Sequence, residues 1–311
     1  MKDLFDREIS YLRISVTDLC NLRCRYCMPP EDIAEKEHND ILSEDEIILV
    51  IKAASELGIN KIRFTGGEPL LKKNIVSICR RTSEVKGINE ICLTTNGILL
   101  PKFAAELKNS GVSRVNISLD TLKPEKYFYI TNGGSLDKVL EGINCAEKSG
   151  FTVKINTVLI KNFNDDEIPE LIKLTQNKNI ELRFIELMPM LKNFPGEFIA
   201  NSKILKIIPD LEYLGIDGVA KIYKLRNSLG RIGFISPMSE LFCSKCNRIR
   251  LTSDGFIKPC LHSDAEFFIR NKTKDEIKSA IIQAIKAKPE RHFLNLSHHS
   301  KSQRTMNKIG G

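Results

Sequence analysis

The stretch "YLRISVTDLCNLRCRYC", Tyr11 to Cys27, joins a short apolar segment to three cysteines. Residues 10–16 are rich in β-branched and apolar side chains, which predicts a buried strand. Cys20 and Cys24 open a C-x3-C-x2-C pattern that Cys27 completes. A structural zinc site is normally closed by four protein ligands, so three thiolates leave one position open. The stretch therefore predicts a strand that leads into a site with an open position.

Strand and helix patterns then alternate over the first two-thirds of the chain. Further strands are predicted at 61–65, 90–95, 113–119, 151–160 and 180–187. Helices are predicted at about 44–57, 72–84, 101–109, 136–149 and 166–177. The first helix opens with the capping box "SEDE" at Ser43 and ends before Gly58. Six β/α units predict an α/β fold with a partial, open (β/α)6 barrel of the TIM type.

Unusual segments follow the predicted strands. They are "TDLC", "TGGEP", "TTNG", "SLD" and "ELMPM". In β/α barrels the functional groups are carried on loops at the carboxyl ends of the strands. We therefore expect these five segments to converge on one mouth of the barrel.

The pattern changes at about residue 190, which predicts a division into 1–190 and 191–311. "VAKIYKLR" and "GRIGFIS" predict the strands of a hairpin, and a helix is predicted at about 274–287. Three more cysteines lie between them. The sequence therefore predicts a smaller, β-rich C-terminal region that ends in a basic, irregular tail.

The composition indicates a globular protein with metal-binding or catalytic cysteines. Of 311 residues, 42% are hydrophobic and 28% are charged, as in ordinary globular proteins. No apolar run reaches about 18 residues and the N-terminus has no apolar signal core, so we expect a cytoplasmic location without a membrane span. Nine cysteines then favour metal binding or catalysis over disulfides. A net charge of +8 suits an anionic ligand.

The first cysteine set is open to three interpretations, which are an iron–sulfur cluster, a zinc ion and three unrelated, buried thiols. Soft thiolates select zinc, Cu(I) or iron–sulfur clusters. A [4Fe–4S] cluster on three cysteines leaves one iron for a small molecule, as in the radical S-adenosylmethionine (SAM) enzymes, where an aromatic residue such as Tyr26 precedes the last cysteine. "TGGEP" at Thr65–Pro69 favours that class, because its glycines allow a close backbone approach and Glu68 can accept from an ammonium.

Cys243, Cys246 and Cys260 form the second set, spaced C-x2-C-x13-C. The set can hold a second cluster with an open iron, or a zinc ion with His262 as the fourth ligand. The spacing alone does not decide between them.

Arginines accompany the second set. On a strand, Arg248 and Arg250 of "NRIRL" point to the same face, where paired guanidiniums suit a polyphosphate. The basic lining of the barrel is predicted to include Arg13, Arg63, Lys154 and Arg183. Bare charges on strands buried on both faces are costly, so a ligand or partner is expected there.

Together these motifs resemble those of the GTP 3′,8-cyclase family of molybdenum cofactor biosynthesis. The resemblance extends over nearly the whole chain, through "IRFTGGEPL", "LTTNG", "VNISLD", "LRFIELMPM", "FCSKCNRIRLTSDGFIKPCL" and the terminal "MNKIGG". It implies that a 5′-deoxyadenosyl radical from SAM removes the ribose 3′ hydrogen of GTP, and that the ribose radical attacks guanine carbon 8.

The resemblance also implies roles for individual residues. Two [4Fe–4S] clusters are expected on Cys20, Cys24 and Cys27 and on Cys243, Cys246 and Cys260. The expected SAM contacts are Tyr26, Gly67, Ser118 and Met188, with Glu68 nearby. The expected GTP contacts are Arg13, Arg63, Thr94, Lys154, Arg248 and Arg250. A catalytic part is expected for Arg248, Arg250, Gly310 and Gly311, because the double-glycine tail is small enough to enter the site.

The expected partners are GTP, an electron-donor protein, a downstream pyranopterin-forming enzyme and a second copy of the chain in a homodimer, with no nucleic acid and no membrane. Two alternatives stay open. One is a two-cluster radical SAM enzyme that modifies a peptide, although such enzymes usually carry more cysteines. The other is a zinc-knuckle protein that binds nucleic acid, although the chain has no Trp and only 7% aromatic residues for base stacking.

Overall fold

The structure is a computed structural model that describes residues 1–28, 41–191, 196–208, 210–294 and 300–310. Six short strands follow one another along the first two-thirds of the chain. They are β1 Tyr11–Ser15, β2 Lys61–Thr65, β3 Glu90–Thr95, β4 Val112–Ser118, β5 Thr152–Leu159 and β6 Glu181–Glu186. Each pairs in parallel with the next, which confirms the predicted strands and the partial barrel.

Helices cover the outside of these strands. They are α1 Glu44–Glu56, α2 Ile75–Ser83, α3 Leu100–Asn109, α4 Pro124–Thr131, α5 Leu136–Lys148 and α6 Ile168–Lys173. The Ser43 capping box at the start of α1 is confirmed. α4 is not predicted, although Pro124 at its first turn and left-handed Asn132 at its end are start and stop signals.

The C-terminal third adds strands at both edges of the sheet. Its elements are α7 Asn201–Ile207, β7 Leu211–Asp217, β8 Ala220–Leu225, β9 Arg231–Ile235, β10 Arg248–Leu251, β11 Phe256–Lys258, β12 Phe267–Phe268, α8 Lys274–Lys286 and α9 Met306–Ile309. The predicted hairpin is confirmed as the antiparallel pair β8–β9. β7 has no apolar alternation and is largely exposed, so its sequence carries no strand signal.

The strand order is β12-β11-β10-β1-β2-β3-β4-β5-β6-β9-β8-β7. β10 runs parallel to β1, and β9 runs parallel to β6. The six predicted strands are therefore flanked by two more parallel strands, both from the C-terminal third. Among the described residues the two ends of the sheet do not pair, so the barrel stays open. A boundary near residue 190 remains a prediction, since the sheet continues across it.

Alternation along the strands separates the core from the barrel interior. Leu12 and Ile14 are fully buried in the apolar core, whereas Arg13 between them lines the interior. On β2, Ile62 and Phe64 are fully buried and Arg63 faces inwards in the same way. The period of two in β-strands thus places apolar side chains under the helices and guanidiniums inside the barrel. No helix in the described parts of the chain is long and apolar enough to cross a membrane.

Candidate active site

A cavity of about 400 Å³ lies inside the barrel. It is lined by every predicted ligand cysteine, and by most of the other predicted site residues. These are Cys20, Cys24, Cys27, Cys243, Cys246, Cys260, Tyr26, Gly67, Ser118, Met188, Arg13, Arg63, Thr94, Arg248 and Arg250. Glu68, Lys154 and Gly310 do not line the cavity, and Gly311 lies outside the described residues.

The register of the sheet places the two cysteine sets at opposite ends of the strands. Cys20 follows the carboxyl end of β1, whereas Cys246 precedes the amino end of the parallel strand β10. β11 runs back along β10, with Lys258 opposite Arg250, so Cys260 returns to the end that carries Cys246. A five-residue strand spans about 17 Å. The cavity is therefore a passage with three thiols at each end.

The first cysteine loop is joined to "TGGEP" through the backbone. The amide of Gly67 donates to the Thr17 carbonyl oxygen at 2.8 Å, and the amide of Glu68 donates to the Leu19 carbonyl oxygen at 2.7 Å. A Cβ on Gly66 would lie 2.3 Å from the Thr17 oxygen, and one on Gly67 would lie 2.2 Å from the Leu19 oxygen. The two glycines thus allow close approach to the cysteine loop itself, and not only to a ligand.

The carboxylate of Glu68 has hydrogen-bond partners within the protein. Its carboxylate is fully buried and accepts from Leu70 N at 3.1 Å, Thr95 Oγ1 at 2.7 Å and Asn96 N at 2.8 Å. Burial raises its pKa to about 7. These three donors make Glu68 a clamp between "TGGEP" and the end of β3, and a contact with the SAM ammonium stays a prediction.

The predicted SAM contacts surround the first cysteine set. Tyr26 donates its hydroxyl to Asp120 Oδ2 at 2.7 Å, and Asp120 also lines the cavity. Burial raises the pKa of Cys27 to about 12, with a further contribution from Cys20. Burial also raises the pKa of Cys20, to about 11. In the metal-free protein these thiols therefore hold their protons at neutral pH.

A row of guanidiniums crosses the wall between the two sets. Arg13 lies opposite Arg250 on β10 and opposite Arg63 on β2, so the three side chains share one level of the barrel. Burial and the neighbouring Arg248 lower the pKa of Arg250 to about 10, which leaves it charged at neutral pH. Arg63 also donates to Thr94 Oγ1 at 3.2 Å. A cluster of guanidiniums on one wall suits an anionic ligand, because Arg binds phosphate in a bidentate manner.

The second cysteine set lies against two cations. Lys288 is 3% exposed, and its ammonium donates to the carbonyl oxygens of Arg248 and Pro259 at 2.7 and 2.9 Å. It also lies 3.5 Å from Cys246 Sγ. Burial raises the pKa of Cys246, but Arg248 and Lys288 outweigh it and bring the value down to about 6. Cys246 is therefore a thiolate at neutral pH, ready to bind metal.

Lys154 is covered by acidic side chains. It is 1% exposed, and its ammonium contacts Glu181 Oε1 at 2.8 Å and the Asp217 carboxylate. Arg183 contacts the same two acids, with Nε 2.5 Å from Glu181 and Nη2 2.7 Å from Asp217. Asp217 and Arg183 line the cavity, but Lys154 does not. The predicted contact of Lys154 with GTP therefore requires Asp217 to move.

The described part of the C-terminal tail, residues 300–310, reaches the barrel, and its predicted catalytic part requires this position. Met306 and Asn307 line the cavity, and Asn307 Nδ2 donates to the Asp18 carbonyl oxygen at 3.4 Å. Gly310 is buried, and its carbonyl oxygen accepts from Arg250. A Cβ on Gly310 would lie 2.2 Å from Thr65 Oγ1. The chain thus needs glycine at 310 to bring the tail against the guanidinium row.

Two family models match the chain. The first, described as the radical SAM superfamily, matches residues 14–175, and the second, described as Molybdenum Cofactor Synthesis C, matches residues 180–294. The GTP 3′,8-cyclase of Alkaliphilus oremlandii is 48% identical over 100% of both chains. That of Peptoclostridium acidaminophilum is 50% identical over 99% of this chain and 98% of the relative. The chain belongs to the GTP 3′,8-cyclase family.

Solved structures support the fold of this GTP 3′,8-cyclase. Streptococcus suis SuiB bound to S-adenosylmethionine superposes with a TM-score of 0.64 at 17% identity, over 91% of this chain and 66% of that chain. The same protein bound to the precursor peptide SuiA gives a TM-score of 0.62 at 16% identity. At these identities the likeness concerns the fold alone.

The donor sets fit the cofactors of GTP 3′,8-cyclases, which use SAM and iron–sulfur clusters. Each set offers three thiols to one cavity, and soft thiols are the ligands of such clusters. Over the described ranges, no three His, Cys, Asp or Glu side chains form a group that could hold a single metal ion. His262 lines the cavity with the second cysteine set, its Nδ1 lies 3.4 Å from Ser300 Oγ, and its ring packs on the His292 ring.

The cavity also offers unpaired polar atoms to a ligand of the GTP 3′,8-cyclase. The side-chain oxygens of Asn116 and Asn156 are buried on its wall, and neither has a hydrogen-bond partner within the described chain. Such atoms are rare in folded proteins unless a ligand or water satisfies them. Sequence reasoning missed both, although each lies two residues from a predicted site residue on the same strand face, Asn116 before Ser118 and Asn156 after Lys154.

Proposed function

We propose that the chain is a radical SAM GTP 3′,8-cyclase that carries out the first step of molybdenum cofactor biosynthesis. One observation carries the proposal: a single cavity has three thiols at each end and a row of buried guanidiniums between them. When bound, SAM and the clusters would supply the radical chemistry that joins ribose carbon 3′ of GTP to guanine carbon 8: the adenosyl group of SAM would take the 3′ hydrogen, and one electron and one proton would complete the cyclised nucleotide.

The residues of the chain would bind the clusters, orient SAM and GTP, and shield the reacting groups from water. Cys20, Cys24 and Cys27 would hold the cluster that binds SAM, near Tyr26, Gly67, Ser118 and Met188. Cys243, Cys246 and Cys260 would hold the second cluster, which would face the guanine. Arginine binds phosphate in a bidentate manner, so Arg13, Arg63, Arg248 and Arg250 would hold the triphosphate between the two ends. With SAM and GTP bound, the barrel wall would shield a reactive radical from side reactions.

Lys154, Thr94 and the tail would complete the GTP site. Thr94 is positioned by Arg63, and Gly310 is positioned by Arg250. Gly310 and Gly311 have no side chains, so this tip can approach a filled cavity closely. We assign the tail a catalytic part together with Arg248 and Arg250.

The chemistry of this site also suggests a cellular compartment and partner proteins. Cluster thiolates need a reducing compartment, which suits the cytoplasm. Reductive cleavage of SAM would need one electron and completion of the cyclised nucleotide a second, so we propose an electron-donor protein as a partner. A pyranopterin-forming enzyme would take up the product. We also propose a homodimer.

The test is anaerobic incubation of the reconstituted protein with SAM, a reductant and GTP, followed by mass analysis. We expect methionine, 5′-deoxyadenosine and a 3′,8-cyclised nucleotide, and about eight iron atoms per chain from two cubane clusters. Cys24→Ala should abolish SAM cleavage but keep about four irons at the second set. SAM cleavage with a peptide and not with GTP would instead support a peptide-modifying enzyme. Zinc without iron would support a nucleic-acid-binding protein.

A further inference from the structure

The tip of one hairpin brings a carboxylate to the basic wall of the cavity. β7 ends at Asp217 and β8 begins at Ala220, and the turn between them contains Gly218 with a φ of 64°. Asp217, Gly218 and Val219 all line the cavity. β7 is the outermost strand of the sheet, so the β7–β8 hairpin has a neighbouring strand, β9, on one side only.

The charges around the cavity are strongly unequal. Among the lining residues that the structure describes, eight are Lys or Arg and two are Asp. The first acid, Asp120, bonds to Tyr26 beside the first cysteine set. Asp217 is therefore the one lining carboxylate that contacts cations in the described wall between the two sets. A polyanion that enters this part of the cavity meets Asp217 as a like charge.

Asp217 holds two cations at once. Its Oδ2 contacts Lys154 and lies 2.7 Å from Arg183 Nη2. Burial would raise the pKa of Asp217, but Lys154 and Arg183 hold it well below its usual range, so the carboxylate is charged at neutral pH. Glu181 contacts the same two cations and is 3% exposed at its side chain, whereas Asp217 is 42% exposed. Glu181 is thus a fixed part of the wall, and Asp217 is the partner that a ligand can reach.

We propose that Asp217 occupies the position of a substrate phosphate and is displaced when the triphosphate binds, which frees Lys154 and Arg183 to contact it. The inference rests on the proposed function, since it takes GTP as the ligand. It gives Asp217 a role in specificity. A ligand with several negative charges can replace the carboxylate on both cations, whereas a ligand with one or none leaves it in place. While the cavity has no ligand, Asp217 is the second carboxylate on both cations, and Glu181 remains their partner when Asp217 is displaced.

The test compares Asp217→Asn with the wild type, both carrying their clusters, by anaerobic calorimetry of ligand binding. Asparagine has nearly the same shape but no charge to compete with phosphate. We expect GTP to bind about ten-fold more tightly to the variant, the scale of one charge-assisted hydrogen bond. Inorganic tripolyphosphate should gain by a similar factor, and guanosine should gain nothing. Asp217→Ala should behave in the same way, which guards against new bonds from the amide.

Two controls separate this effect from a general change in charge. Asp210→Asn alters an exposed carboxylate directly before β7, where the φ of 58° suits asparagine, and should leave GTP affinity unchanged. In the background of Lys154→Met, the gain from Asp217→Asn should shrink, because one of the freed cations is gone.

The binding results distinguish a failure of the Asp217 displacement from a failure of the proposed GTP cyclase function. If the wild type binds GTP and both Asp217 variants bind it equally or more weakly, the displacement is wrong and the proposed function stands. If neither wild type nor variant binds GTP, the proposed function is wrong and the inference is lost with it. A gain that is equal for GTP and guanosine would also overturn the inference, because phosphate would then not be the competing group.

Discussion

Gly310 has a φ of 80° and no room for a side chain, because a Cβ would lie 2.2 Å from Thr65 Oγ1. Its carbonyl oxygen accepts from Arg250 in the guanidinium row. Gly310→Ala should therefore push the tail away from the row. We expect cyclised product per cluster to fall by about ten-fold or more, as for the loss of a positioned contact of about 1.4 kcal/mol. Iron content and SAM binding should stay normal.

Gly150 provides a matched control for this prediction. Its φ of 73° is close to that of Gly310, but the nearest atoms to an added Cβ belong to the Lys108 side chain at 4.0 Å. Gly150→Ala should cost about 1–2 kcal/mol of stability from the left-handed backbone and leave turnover unchanged. Equal product from Gly310→Ala and the wild type would mean that the tail has no part in the reaction.

Individual residues differ in how far the sequence could place them. That the six cysteines face one cavity was predictable, because their spacing along the chain is itself a motif. The shared face of Arg248 and Arg250 was predictable because they lie two positions apart on a strand. The pairing of Lys154 with Asp217 was not predictable, because the partners are 63 residues apart and β7 carries no strand signal. Glu68 was predicted as a ligand contact, but the sequence could not show that Leu70 N, Thr95 Oγ1 and Asn96 N also donate to its carboxylate.

At the scale of elements, the N-terminal segment fastens the second cysteine loop. Arg7 donates to the carbonyl oxygens of Cys243 and Glu290, both at 2.9 Å, and to that of Pro289 at 2.8 Å. Asp3 fixes the guanidinium through Nε at 2.6 Å, and the two side chains are 0% and 5% exposed. This pair connects the loop before β10 to the segment after α8.

Arg7→Met should therefore loosen the second set. We expect a loss of about 3–5 kcal/mol in stability, as for breaking a buried ion pair, and a fall in iron from about eight to about four atoms per chain. Lys2→Met is the matched control. Lys2 and Asp6 have the same i,i+4 spacing but are 63% and 81% exposed, so breaking this pair should leave the stability nearly unchanged. Thermal unfolding and iron analysis measure both effects, and full iron in Arg7→Met would refute the fastening role.

The whole molecule is built around one sheet to which both parts of the sequence contribute. β10 covers the outer edge of β1 and β9 covers the outer edge of β6, although both strands come from beyond residue 190. The βα repeats predict the six central strands because each carries its own apolar pattern and turn signals. The sequence does not show that distant strands complete both edges, since edge pairing depends on contacts between remote segments.

This continuity makes a prediction about unfolding. A fragment of residues 1–190 would expose two unpaired parallel edges, so we expect it to aggregate rather than fold. The full chain without its clusters should unfold in one cooperative transition, which calorimetry measures by comparing the calorimetric and van't Hoff enthalpies. Two separate transitions, together with a folded 1–190 fragment, would instead support two independent domains.

The backbone bonds between the first cysteine loop and "TGGEP" also bear on protein engineering. Gly67 and Glu68 donate to the Thr17 and Leu19 carbonyl oxygens, and neither glycine of the motif has space for a Cβ. The two loops are therefore a single unit, although 38 residues separate Cys27 from Gly66 in the printed sequence. A chimaera that takes only one loop from another enzyme of this superfamily would lack the matching backbone partners in the other loop. Grafts should be designed with residues 17–27 and 65–69 exchanged together.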